Sequence, residues 1–172
     1  ISIIFGVIIY VMFLVGNVFI VSIGGRTPPL YRSAYTVGLM LLLITSFFLF
    51  NSLFSFRFSY WINALSVLLI SIIIFLYLFY SVTIELADDG EDKQMWAYVL
   101  TPAFIMAEIA LVLSFWPVGI LKGSIYLVAI IYVISALIQM SLRDRLFKRS
   151  LLTFLWISIA IILGIIFTTS WR

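Results

Sequence analysis

Residues 62–84 read INALSVLLISIIIFLYLFYSVTI, and this stretch decides the fold. It carries no charge. As a helix rising ~1.5 Å per residue it would extend about 35 Å, enough to cross a hydrocarbon core of ~30 Å. Its apolar residues run continuously instead of alternating, which argues for a spanning helix and against a barrel strand. Polar or interfacial sequence bounds it on both sides. Before it comes Ser55–Trp61 (SFRFSYW), with Arg57 set among aromatics as in a headgroup belt. After it comes Glu85–Met95 (ELADDGEDKQM), the most polar stretch of the chain.

The same pattern recurs outward in both directions. Further spans are predicted over residues 1–23, 36–54, 96–116, 124–140 and 151–170. The expectation is an all-α, polytopic transmembrane helix bundle with six spans and short loops, forming a single integral-membrane domain over 1–172. The first run begins inside apolar sequence with neither a methionine nor a basic flank, so a trimmed amino terminus is expected. It lacks a signal peptide's basic region and reads as a true span. Gly24-Gly25 and Pro28-Pro29 are read as ending that helix and delaying the next until about residue 36.

Composition agrees. Of 172 residues 65% are apolar and 10% charged, against roughly 45–50% and ~25% in soluble domains. Six helices of ~20 residues take about 120 residues, leaving about 50 for every loop and end. No soluble catalytic domain fits in that remainder. The chain has no cysteine and no histidine, which removes disulfides, thiolate nucleophiles, the usual general base and the commonest metal ligands. No phosphate-cradling motif occurs. No enzyme activity, cofactor or metal is expected. The formal charge of +3 does not point to nucleic acid, because the basic residues lie mostly between spans.

The distribution of those residues sets the orientation. Arg26, Arg32, Lys93, Arg143, Arg145, Lys148 and Arg149 fall on one side, and Arg57, Lys122 and Arg172 on the other. Seven against three places loops 24–35, 85–95 and 141–150 in the cytoplasm of what is expected to be a bacterial inner membrane. Loop 141–150 is expected to meet anionic lipid headgroups through Arg143, Arg145, Lys148 and Arg149. The acidic loop 85–95 is a candidate contact for a protein partner or for the basic loop. Its spacing is not that of an EF-hand, and its acids suit a helix start, with Asp88 or Asp89 as cap. Oligomeric state is not readable from the sequence.

One ionisable residue breaks the pattern. Glu108 lies twelve residues from Trp96, or ~18 Å along a helix, near mid-bilayer. No lysine or arginine shares that depth. A lone carboxyl there costs ~3 kcal/mol to insert, is cheaper as the neutral acid, and normally faces a bundle interior. Matching depth along the predicted spans offers Tyr10, Thr45, Ser46, Ser71 and Tyr126 as hydroxyl partners. Two readings follow: a proton- or cation-binding site with Pro102 loosening the helix, or a neutral acid joining helices. The second is the simpler, because a relay usually needs more than one titratable group.

The same helix carries a small-residue stripe, Ala103, Ala107, Ala110 and Ser114, within a ~60° arc, suited to close packing against a neighbour. Glu108 lies ~120–140° from its centre. Ala160 and Gly164 form a shorter version in the last span. In size and span count the chain resembles the substrate-binding membrane subunits of energy-coupling-factor vitamin transporters. Their small-residue motif lies on the first helix, whereas Ala103-xxx-Ala107 lies on the fourth, so no residue role is transferred. The favoured expectation is a membrane scaffold or interaction subunit of a larger complex. The alternative is a small proton- or cation-linked carrier organised around Glu108.

Overall fold

In the computed structural model the described residues are 28–86, 92–142 and 148–168, with positions 7, 10, 11 and 14 of the amino-terminal stretch. They form five long helices: α1 (Pro28–Ser55), α2 (Tyr60–Leu86), α3 (Asp92–Phe115), α4 (Ile120–Leu142) and α5 (Lys148–Thr168). Positions 7, 10, 11 and 14 are also helical, and no strand occurs among the described residues. Among the described residues four segments are long and apolar enough to cross a membrane: Tyr35–Ser55, Tyr60–Thr83, Met95–Phe115 and Ile120–Leu142. In α5 the apolar part is the shorter run Leu152–Phe167. Most of the predicted first span lies outside the described residues.

The helices are longer than the apolar runs that revealed them. α1 starts at Pro28, well before residue 36, which corrects the reading of Pro28-Pro29 as a break. Proline is compatible with a first helical turn, where its missing N–H would have no intrahelical acceptor and its fixed φ is already helical. α3 opens at Asp92, whose charge suits a helix amino terminus. Asp88 and Asp89, the expected caps, lie outside the described residues.

The chain gathers into two compact units, Ile1–Thr45 and Ser46–Arg172. In the first, Val7, Tyr10 and Leu14 are exposed large side chains at helical spacing. The second contains an antiparallel hairpin of α2 and α3, the most extensive pair among the described helices. Its seam is legible residue by residue. Ala64, Val67, Ser71, Ile74, Leu78 and Val82 are buried along α2, and Val99, Ala103, Met106, Ala110 and Leu113 along α3. Spacings of three and four give the ~3.5-residue repeat that keeps one seam facing a partner helix. Aromatic pairs bracket the hairpin. Phe79 stacks on Tyr98 at 6.1 Å, and Tyr60 meets Phe115 at 4.8 Å.

Lipid-exposed helices gain little from the hydrophobic effect on meeting, so close van der Waals packing must hold them. Alanines at 103, 107 and 110, all buried, let the α2 and α3 backbones approach. α4 contacts both helices of the hairpin. Its Tyr98 partner is Ser141, at 2.9 Å between hydroxyl oxygens. At its other end a Cβ on Gly123 would lie 3.8 Å from the Phe54 ring, an ordinary contact distance. α5 packs against α4, and none of its described side chains is fully buried.

The turn between α1 and α2 is tight. The Arg57 N–H donates to the Phe54 carbonyl at 3.2 Å, and Arg57 adopts φ 51°, a left-handed conformation common just beyond helix ends. Phe56 and Phe58 stack beside it at 5.4 Å.

Candidate functional site

Glu108 stands four turns into α3, beyond Pro102. Proline has no N–H, so the Tyr98 carbonyl lacks its usual donor four residues on, yet the helix continues through Pro102 to Phe115. The alanine stripe turns one face of α3 into the hairpin seam. Glu108 projects from another face and is exposed. This corrects the expectation that the carboxyl faces the packed interior. The small residues occupy that interior because only they permit the close approach.

The exposed face of Glu108 is not featureless. It lines a cleft of about 580 Å³ formed by α3, α4 and α5. Ile109 shares its wall, Ile130 and Ile134 come from α4, and Ser158 and Ile162 from α5. The Ser158 hydroxyl donates to the Phe154 carbonyl at 2.9 Å, leaving its oxygen lone pairs toward other donors. Among the described residues the Glu108 carboxyl makes no hydrogen bond or ion pair. No group of three potential metal ligands occurs among them. The cleft thus offers one carboxyl and one hydroxyl oxygen within an apolar wall. That set can pair with a donor or hold one proton.

Of the hydroxyls expected from depth, those of the second unit do not line the cleft. Tyr10 and Thr45 belong to the first unit, where Tyr10 is exposed and the Thr45 hydroxyl donates to the Leu41 carbonyl at 2.8 Å. Ser46 and Ser71 are buried and do not line the cleft. Ser71 Oγ has no hydrogen-bond partner, although it lies in the α2 seam. Tyr126, also absent from the cleft lining, sits against Gly164, where an added Cβ would lie 3.7 Å from its ring. Depth fixes a level but not an angle about the helix axis, so matched depth did not identify neighbours. Ser158 is the polar residue that depth matching missed. Its level depends on how far α5 slides against α4, which no residue of α5 announces.

Among the packing residues, Ala103, Ala107 and Ala110 are buried. Ser114 is half-buried, its hydroxyl donating to the Ala110 carbonyl at 2.8 Å. Ala160 is exposed and Gly164 half-buried, the latter against the Tyr126 ring of α4. Arg26, Arg143 and Arg145 lie outside the described residues, as do the side chains of Arg32, Lys148 and Arg149. The acidic loop is described only where α2 and α3 enter it.

Comparison of the chain with curated proteins and with solved structures gives no match. A family model does match, over residues 1–168. On that match, the chain belongs to the family described as protein of unknown function (DUF5656).

Proposed function

We propose that the protein is a multipass membrane scaffold, an interaction subunit of a larger complex. It has six spans in the bacterial inner membrane, with loops 24–35, 85–95 and 141–150 in the cytoplasm. The observation that carries this reading is the apolar character of the Glu108 cleft. A path for protons or hydrated ions needs a file of polar groups or water through the midplane. Here the hydroxyls at matching depth in the second unit lie away from the carboxyl, and branched aliphatics surround it. The alanine-lined α2–α3 hairpin supports the same reading, since it makes a rigid core. The basic loop 141–150 then grips anionic headgroups, and the acidic loop 85–95 serves as a protein contact.

Affinity purification from native membranes in mild detergent tests this. The expected result is a partner protein recovered in fixed ratio with the chain. Recovery of the chain alone, across several detergents, contradicts it.

The second reading, a small proton- or cation-linked carrier, is favoured by one observation. Glu108 is exposed and without a partner among the described residues. Under that reading Glu108→Gln abolishes pH-dependent flux in reconstituted vesicles. Under the scaffold reading neither version carries flux.

A further inference from the structure

The Glu108 cleft has the dimensions and chemistry of a small-molecule site. We propose that it binds a membrane-soluble amine, an amphiphile whose protonated nitrogen pairs with the Glu108 carboxylate while its hydrocarbon body lies along Ile109, Ile130, Ile134 and Ile162.

Size admits a small molecule. The volume of about 580 Å³ is in the range of sites that enclose drug-sized ligands, ~300–1,000 Å³. Shape argues for a standing cleft. Eight of the fifteen lining residues are isoleucine, whose side chains have few rotamers and so hold the walls apart.

Chemistry decides the class. In a bilayer a hydrocarbon chain gains nothing by leaving lipid for isoleucine, because the two are equally apolar. A plain acyl tail therefore fills the cleft without selectivity and leaves the carboxyl unsatisfied. A ligand that brings N–H donors to Glu108 gains a charge-assisted hydrogen bond in a low-dielectric setting. The ammonium–carboxylate pair has no net charge, which suits it to a membrane interior. Ser158 lines the same cleft from α5 and adds an acceptor oxygen to it.

The test uses the full chain in lipid nanodiscs and an alkylamine carrying a mid-chain diazirine. On illumination the expected result is saturable labelling of α4 or α5 at the cleft, competed by dodecylamine and not by dodecanol. Glu108→Gln reduces labelling at least ten-fold. Because Glu108 is exposed and the exchange is isosteric, that variant folds. Ile162→Trp, which fills the cleft from the opposite wall, gives the same loss with the carboxyl intact. Labelling that does not saturate, that dodecanol competes equally, or that Glu108→Gln leaves unchanged overturns the proposal. So does a complete lack of cleft labelling, the outcome if another protein segment fills it. None of these outcomes bears on whether a partner protein co-purifies.

Discussion

Glu108 on α3 and Ser158 on α5 line one cleft, although fifty residues and the whole of α4 separate them in the chain. Glu108 is exposed, whereas the residues of the α2–α3 seam are buried. The polar groups of this unit are thus divided between two environments, and each environment makes its own predictions.

The seam depends on small side chains. Ala107 is buried on α3, and Ala107→Leu forces extra carbons between close backbones. A loss of ~1–3 kcal/mol is expected from overpacking, read as reduced resistance to denaturation in mixed micelles. Phe104 is exposed on the same helix, and Phe104→Leu should change stability by less than ~0.5 kcal/mol.

Ser71 offers the opposite sign. Its buried hydroxyl has no hydrogen-bond partner, so Ser71→Ala removes an unmet polar group while keeping the volume small. The variant should be as stable as the parent or more so, by up to ~1 kcal/mol. A substantial loss would mean that this hydroxyl is hydrogen-bonded in the membrane.

Tyr98 and Ser141 join α3 to α4 through a 2.9 Å hydrogen bond. Double-mutant analysis of Tyr98→Phe and Ser141→Ala should return a coupling near ~0.6 kcal/mol, with ~1.7 kcal/mol as a ceiling for such bonds in membranes. Strict additivity would show that the bond contributes nothing.

The orientation has a direct chemical test, helped by a chain without cysteine. In intact cells a membrane-impermeant maleimide should label Ser59→Cys and Gly119→Cys. Ser150→Cys should react only after permeabilisation. The reverse pattern would invert the topology derived from the lysine and arginine distribution.

The sequence made the helices legible because unbroken apolar runs have no other stable form in lipid. It was less informative at helix ends. α1 begins at Pro28 and α5 at Lys148, since a helix can run on through polar flanks once an apolar stretch anchors it. Which way each face points was legible only in part. In a soluble helix apolar residues mark the inside. Here Phe104 and Ile105 are exposed while Ala103 and Ala107 are buried, so size, not polarity, marks the seam. Glu108 was found by its charge and placed in depth by counting. Its direction depends on where α4 and α5 stand, and no local residue encodes that.

The central claim is that the membrane interior around Glu108 is dry, as a scaffold's would be and a carrier's would not. A water-soluble, charged methanethiosulfonate reagent applied to both faces of intact membranes tests it on the Glu108→Cys variant, with Ser59→Cys as the reactive control. The account predicts no modification at position 108 until detergent dissolves the bilayer. Modification in the intact membrane, from either face, would contradict it.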